Sequence, residues 1–252
     1  MTFEVSADAY QRFMGRYADL LAAELLRELR PHRPERALDV GAGTGALTAP
    51  LVAELGAESV AAIDPSASFI AALRDRLPGV DAREGTADAL PFDDATFDLV
   101  IAQLVVHFMP DPVAGIAEMA RVAKPGGTVA ASVWDFAGGR APLSLFWRAA
   151  RELDPAVRDE ADEPGARAGQ VEQYFREARL SSVRGGELTV RLPYADPDDW
   201  WQPYTLGVGP AGAYVAGLDD GRREELRRRC VAELGDGPGI VEATAWVAIA
   251  ER

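Results

Sequence analysis

The sequence predicts an α/β fold in which a mostly parallel sheet carries helices on both faces. Short apolar runs alternate with stretches of helical periodicity, which is typical of strand–helix–strand units. A glycine-rich turn at 41–45 follows the first apolar run, where a buried strand would lead into a helix. The last run, Val241–Ala250, has strong β character and predicts an antiparallel strand that completes a seven-stranded sheet.

The elements follow from periodicity and from helix-breaking residues. Leu21, Leu25 and Leu29 share one helical face and predict a helical N-terminal arm within residues 1–34, because Pro31 and Pro34 end the helix. Residues 35–135 form the expected core, with strands at 35–40, 59–63, 80–84, 97–103 and 127–133. Helices are expected at 44–55, 66–76 and 112–121. Two variable segments, 136–169 and 194–238, flank a predicted helix near 170–178 and a strand at about 181–192.

Composition narrows the function classes. A chain of 252 residues with 48% hydrophobic residues can bury the core of one domain. A formal charge of −14 argues against nucleic acids and anionic membranes as partners. The apolar runs are too short to span a membrane, and Met1–Val5 lacks the features of a signal peptide. Cys230 is the only cysteine, which excludes an internal disulfide and a cysteine-rich metal site, and we expect no metal ion. Together these features predict a cytoplasmic protein and leave open whether it is a monomer or a homodimer.

The glycine turn indicates a ligand that lies directly on the backbone. Gly41, Gly43 and Gly45 remove side chains from the turn, and the Thr44 hydroxyl is expected to cap the following helix. The same turn also fits the weak dinucleotide fingerprint, in which a helix N-terminus meets a pyrophosphate. Asp39, two residues before the turn, would repel a pyrophosphate but attract an ammonium group. S-adenosylmethionine carries an ammonium, a ribose and an adenine but no phosphate, so it fits better.

Two further acidic residues follow predicted strands. Asp64 ends the second strand about 20 residues beyond the glycine turn, where a carboxylate can bind both ribose hydroxyls. Asp88 lies in the loop after the third strand and can accept a hydrogen bond from an adenine amino group. The backbone of Ala87 can donate to the same base. These three acidic residues, in this order, are far more specific than a glycine pattern alone.

Together these motifs make the chain resemble a class I S-adenosylmethionine-dependent methyltransferase of the small-molecule kind. The resemblance covers roughly residues 35–135, including Leu38–Gly45, Ala87–Phe92 and the Lys124–Gly127 turn. It implies a three-layer, Rossmann-like fold, S-adenosyl-L-methionine as cofactor and S-adenosyl-L-homocysteine as product. The implied cofactor-binding residues are Tyr10, Arg16, Tyr17, Asp39, Gly41, Ala42, Gly43, Thr44, Asp64, Pro65, Thr86, Ala87, Asp88, Gln103 and His107.

The chemistry expected of such a protein is an in-line displacement that depends mainly on proximity and orientation. His107 follows the fourth strand and is the candidate general base; the alternative is that it only packs against the loop or hydrogen-bonds to it. His32 lies in a proline-rich linker and is expected to be solvated. The arm is expected to fold over the cofactor, with Arg16 near its carboxylate and Tyr17 near its sulfonium. Aromatic residues are candidates to line the acceptor pocket: Trp134, Phe136, Trp147, Trp200, Trp201 and Tyr204.

Two other functions remain open at this point. A regulatory or non-catalytic module that binds S-adenosylmethionine would keep the same acidic residues without turnover. A nicotinamide-dependent oxidoreductase is disfavoured by Asp39 and Asp88. A nucleic-acid methyltransferase is disfavoured because Gln103–Val106 replaces the Asn/Asp-Pro-Pro-aromatic turn of base-amine methylating enzymes. The residues do not identify the acceptor.

Overall fold

The computed structural model describes residues 7–29 and 34–252, and within these residues seven strands form one sheet. The strand order is β3-β2-β1-β4-β5-β7-β6. The strands are β1 (Ala37–Val40), β2 (Val60–Asp64), β3 (Asp81–Glu84), β4 (Phe97–Gln103), β5 (Ala123–Trp134), β6 (Ser181–Tyr194) and β7 (Gly239–Glu251). Neighbouring strands are parallel, except that β7 is antiparallel to both β5 and β6. The predicted fold class is confirmed, including the antiparallel last strand.

Helices cover both faces of this sheet and build the two variable segments, 136–169 and 194–238, which we call the first and second insertions. They are α1 (Ala7–Tyr10), α2 (Arg16–Leu29), α3 (Thr48–Leu55), α4 (Ala67–Arg76), α5 (Pro112–Val122), α6 (Ser144–Leu153), α7 (Gln170–Glu177), α8 (Pro197–Trp201), α9 (Gly209–Gly217) and α10 (Asp220–Leu234). A π-helical turn, Gln11–Gly15, joins α1 to α2. His32 and the Met1–Val5 segment lie outside the described residues.

The hydrophobic core has two parts, because successive side chains along a strand point to opposite faces of the sheet. On one face, Leu99 and Ile101 of β4 pack with Leu25 of α2 and Leu51 of α3. On the other face, Val100 packs in a cluster that includes residues of α5 and α7. Burial on both faces explains why the central strands read as continuous apolar runs in the sequence.

Two predicted boundaries differ from the structure by four residues. Helix α3 begins at Thr48 instead of residue 44, because Gly45 has a φ of +90°, which is incompatible with a right-handed helix. Thr44 therefore lies in the turn and is not the N-cap of this helix. Strand β5 begins at Ala123 instead of residue 127, although Gly126 still has a left-handed φ of +76° inside this stretch.

The two insertions share a second, mostly aromatic core. Phe146 stacks on Tyr204 with ring centroids 4.7 Å apart, and Trp147, Trp200 and Trp201 are buried in the same cluster. Most of the aromatic residues suggested as pocket lining are therefore packing residues. Cys230 is fully buried in this cluster as an apolar residue. Within the described residues, no helix is long and apolar enough to cross a membrane.

Candidate cofactor and acceptor site

The glycine turn is held against the end of β2 by its own backbone. The N–H groups of Gly41 and Ala42 both donate to the carbonyl of Ile63, at 2.7 and 3.0 Å. Gly41 has a φ of +71°, and a Cβ there would lie 2.3 Å from a methyl carbon of Val105. Gly43 also has a positive φ, +56°, but a Cβ there would meet nothing within 4 Å. Gly41 is therefore required by packing, whereas Gly43 borders open space.

Asp39 lies directly beneath this turn, at the end of β1. Its carboxylate is 1% exposed and accepts a hydrogen bond of 2.6 Å from the Thr48 hydroxyl. Burial raises the pKa of Asp39 to about 7, with a smaller contribution from the nearby charge of Asp64, while the Thr48 hydrogen bonds oppose the rise. A cationic ligand beside Asp39 would favour the ionised carboxylate, whereas an anionic ligand would not.

Asp64 links the glycine turn to the N-terminus of α4. Its Oδ2 accepts a hydrogen bond from the Gly43 N–H and its Oδ1 accepts one from the Ser66 N–H, each at 2.8 Å. Burial raises the pKa of Asp64, and these two backbone donors oppose that rise. Since each carboxylate oxygen carries two acceptor sites, Asp64 retains acceptor capacity for a ligand.

The loop after β3 starts beside Asp64, because the Gly85 N–H donates to the Asp64 carbonyl at 3.1 Å. Ala87 is half-buried and packs against the main core, whereas Thr86 and Asp88 are exposed. Pro65 is also exposed, at the start of the β2–α4 connection. The three acidic segments predicted from the sequence thus belong to adjacent strands, β1, β2 and β3, at one edge of the sheet.

The N-terminal arm contacts this edge through the π-helical turn. Gln11 accepts a hydrogen bond of 3.2 Å from the Thr44 hydroxyl and donates one of 2.8 Å to Asp19. Tyr10 packs its ring against Phe69, with centroids 5.4 Å apart. Burial and the nearby charges of Asp64 and Asp19 raise the pKa of Tyr10 to about 12. The arm therefore reaches the glycine turn, and its predicted position over a cofactor stays a prediction.

Arg16 and Tyr17 lie farther along the arm, against the second insertion and the sheet. Arg16 makes an ion pair with Asp199 at 3.4 Å and donates to the Pro193 carbonyl at 3.3 Å. Tyr17 is buried and packs edge-on against Trp134, with ring centroids 6.5 Å apart. In this conformation Arg16 contacts the insertion instead of the glycine turn. Its predicted pairing with a cofactor carboxylate stays a prediction.

Gln103 and His107 supply polar atoms at the end of β4. The Gln103 side-chain amide donates to the Ala18 carbonyl at 3.0 Å, and its buried Oε1 has no partner among the described residues. His107 is buried against the rings of Phe108 and Phe136, and its Nδ1 also lacks a partner there. Burial lowers the pKa of His107 to about 3, so the imidazole is neutral at pH 7.

Two residues of this site were not predicted from the sequence. Thr48 has the clearer signal, a hydroxyl in the first turn of the helix after the glycine turn, nine residues beyond Asp39. Gln11 has no local signal, because its contact with Thr44 joins positions 33 residues apart.

Comparison with known proteins agrees with this geometry. Residues 38–131, from β1 through most of β5, match the model of a methyltransferase domain family. An uncharacterised methyltransferase of Mycobacterium tuberculosis is 36% identical over 162 residues, which cover 64% of this chain and 61% of the relative. A malonyl-[acyl-carrier protein] O-methyltransferase of Methylococcus capsulatus is 33% identical over 189 residues, which cover 74% of this chain and 64% of the relative.

The fold comparison extends beyond the matched methyltransferase domain. A solved SAM-dependent methyltransferase of Thermotoga maritima, described as a possible histamine N-methyltransferase, superimposes with a TM-score of 0.54. The alignment covers 97% of this chain and 99% of that one at 18% identity, so it supports the fold alone. The chain spans less than two thirds of the length of either relative described above. Relatives of this kind therefore support methyl transfer as the class of function and leave the acceptor open.

Proposed function

We propose that this chain transfers a methyl group from S-adenosylmethionine to a small-molecule acceptor. The observation that carries the proposal is the pair of carboxylates, Asp39 and Asp64, on either side of a glycine turn that borders open space. A dinucleotide would bring its pyrophosphate against Asp39, whereas Asp64 suits the ribose of either ligand. S-adenosylmethionine would bring an ammonium and ribose hydroxyls, for which carboxylates are suitable partners.

The residues present fit this cofactor. Gln103 has a buried Oε1 without a partner among the described residues, and that atom would accept a hydrogen bond from the ammonium. Asp64 would use its remaining acceptor sites for the ribose hydroxyls. The backbone of Ala87 and the side chain of Asp88 would bind the adenine. The position of the site in the sheet supports this assignment. The strand order changes direction at β1, which lies between β2 and β4, and ligands of open α/β sheets bind at such a point.

The cofactor supplies a methyl group that its sulfonium has already activated, so the chain needs no covalent nucleophile. The residues of the site hold the two reactants in line and exclude water, which can lower a barrier by about 7–11 kcal/mol. The arm covers the glycine turn through Gln11 and is well placed for this exclusion. His107 is unprotonated at pH 7 but, with a pKa of about 3, is a weak base. Its catalytic role remains a prediction.

The test begins with thermal unfolding in S-adenosylhomocysteine, in NAD and without ligand. A ligand at about 100 times its dissociation constant adds roughly 2.7 kcal/mol. For a chain of this size we expect S-adenosylhomocysteine to raise Tm by about 5–10 °C and NAD to leave it unchanged. A rise with NAD alone would refute the assignment of Asp39. Binding without turnover of any acceptor would favour the regulatory module.

Replacing Asp64 tests the ribose assignment directly. Asp64→Ala removes both carboxylate oxygens, and hydrogen bonds to charged groups contribute about 1.5–3 kcal/mol each. We expect calorimetry to show affinity for S-adenosylhomocysteine reduced at least tenfold. Asp220→Ala is the matched control, because its side chain is 99% exposed and far from the site in sequence. Unchanged affinity in the Asp64 variant would disprove this role.

A further inference from the structure

Among the described residues other than glycine, Leu104 alone combines a left-handed backbone with a buried side chain. Its φ is +60° and its side chain is 9% exposed. The other three described residues of this kind, Ala95, Arg179 and Ser182, are all exposed. A left-handed backbone brings the Cβ of a large residue too close to the next carbonyl oxygen, so Leu104 is strained. Such residues persist where the surrounding structure holds them, and they cluster at functional sites.

Two contacts hold Leu104 in this conformation. Its N–H donates to the carbonyl of Ser132 on β5, at 2.9 Å. Its side chain packs in a buried cluster that includes Tyr17 of the arm and Trp134 at the end of β5. A glycine would adopt the same backbone without strain, but it would leave this cluster without the leucine side chain. The chain therefore keeps the side chain and accepts the strained backbone.

The left-handed turn reverses the faces to which the next two side chains point. Gln103 lies on the face covered by α2, since its amide donates to the Ala18 carbonyl at 3.0 Å. In a regular strand Leu104 would point to the opposite face and Val105 to the α2 face. Instead, Leu104 packs with Tyr17 of α2, and Val105 packs against the cluster that includes residues of α5 and α7.

Both neighbours of Leu104 belong to the proposed cofactor site. Gln103 has a buried Oε1 without a partner among the described residues, and that atom is the proposed acceptor for the cofactor ammonium. Val105 packs so closely on Gly41 that a Cβ there would lie 2.3 Å from one of its methyl carbons. Because φ and ψ are the only soft backbone angles of a residue, those of Leu104 set how Gln103 and Val105 are oriented relative to each other.

We propose that Leu104 is a positioning residue for the amino-acid end of the cofactor. Its left-handed backbone directs Gln103 Oε1 towards the ammonium while it seats Val105 on the glycine turn. This assignment rests on the proposed function. The strain at Leu104 thus serves binding and not folding, so that its relief stabilises the chain and weakens the cofactor site.

Two substitutions at Leu104 test the strain. Leu104→Ala and Leu104→Gly both remove the leucine side chain, but only alanine retains the left-handed penalty. Leu104→Gly should therefore melt about 2–8 °C above Leu104→Ala. At an ordinary backbone position the order is the opposite, because glycine loses more freedom on folding. A Leu104→Gly variant that melts below Leu104→Ala, or that does not fold, overturns the assignment.

Calorimetry then tests positioning with two ligands, S-adenosylhomocysteine and 5′-methylthioadenosine, which lacks the amino-acid end. The preference for S-adenosylhomocysteine should be at least about fivefold smaller in Leu104→Gly than in Leu104→Ala. Glycine also populates backbone conformations that turn Gln103 away, and affinity falls with the fraction of binding-competent chains. An equal loss for both ligands, or no loss, would leave Leu104 with a structural role only and overturn the proposal.

A double-mutant cycle identifies the group through which Leu104 acts. Gln103→Ala should weaken S-adenosylhomocysteine binding about tenfold in the wild-type background and less than about twofold in Leu104→Gly. Equal losses in the two backgrounds would contradict positioning of Gln103.

Ala95→Gly is the matched control, because Ala95 has a φ of +53°, is exposed, and precedes β4 at the end opposite to Leu104. This change relieves the same kind of strain and should raise Tm without altering the affinity for either ligand; a weaker preference for S-adenosylhomocysteine here would detach binding from the conformation of Leu104. Failure of the proposed function is a separate result, since the wild-type chain would then not bind S-adenosylhomocysteine. The order of the two melting temperatures would still report on the strain at Leu104.

Discussion

Alanine substitutions at three glycines separate folding from cofactor binding. Gly43 and Gly169 have φ values of +56° and +77°, and a Cβ at either would meet nothing within 4 Å. Each Gly→Ala change should therefore cost only the left-handed backbone penalty, about 1–2 kcal/mol. At about 2–4 °C per kcal/mol, Tm should fall by roughly 2–8 °C in both variants. Gly43→Ala alone places a methyl group in the space where the ligand is proposed to lie.

Calorimetric titration with S-adenosylhomocysteine checks this expectation. Affinity should fall at least tenfold in Gly43→Ala and stay at the wild-type value in Gly169→Ala, because Gly169 precedes α7 on the opposite face of the sheet. Gly41→Ala should be the least stable of the three, since its Cβ would overlap the Val105 side chain, and overpacking adds about 1–3 kcal/mol. Equal affinity in the Gly43 and Gly169 variants would refute the placement of the ligand over Gly43.

Two further predictions concern pH. Asp39 has a folded pKa of about 7, above its unfolded value, so its contribution to stability is complete below pH 3.8 and is lost as the pH rises to about 7. Asp39→Asn should therefore raise Tm at pH 8 but not at pH 4, while binding of S-adenosylhomocysteine weakens; an equal effect on Tm at both pH values would contradict the buried-carboxylate argument. His107 has a folded pKa of about 3, below its unfolded value of 6.5, so stability falls as the pH drops from 6.5 towards 3. His107→Gln should remove about 3 kcal/mol of the loss measured by urea unfolding between pH 7 and pH 4, and an unchanged loss would show that burial does not shift this pKa.

The strands could be predicted because their signals are local, whereas their order in the sheet was not predicted. Each central strand contains an apolar run buried on both faces, and a glycine or an acidic residue ends or follows β1, β2 and β5. Asp39 and Asp64 could be placed for the same reason, since the ends of parallel strands meet at one edge. The start of α3 was predicted four residues early, because a threonine after a glycine is a good N-cap only if the next residue continues the helix. Gly45, with its φ of +90°, does not.

The aromatic residues and the arm could not be interpreted from local pattern. Trp147 and Tyr204 are 57 positions apart in the sequence yet pack in one cluster with Phe146, so their periodicity does not distinguish core from pocket. Glu160 illustrates the same limit. Its carboxylate accepts from the Trp147 indole at 2.8 Å, and burial raises its pKa to about 7, although it lies in an acidic stretch typical of a solvated loop.

The same distinction applies to how the proposed methyltransferase would choose its acceptor. Asp39 and Asp64, which we propose to meet the cofactor, lie at strand ends, whose positions are fixed by the hydrogen bonds of the sheet. The cleft between the arm and the second insertion is lined instead by residues of the arm, by Asp199 of α8 and by Gln202 and Pro203 just after it, and the Arg16–Asp199 pair joins its two sides. Substitutions in the insertion can therefore change this cleft without disturbing Asp39 or Asp64. A rigid donor site beside an adaptable cleft would explain how one α/β scaffold can serve different methyl acceptors.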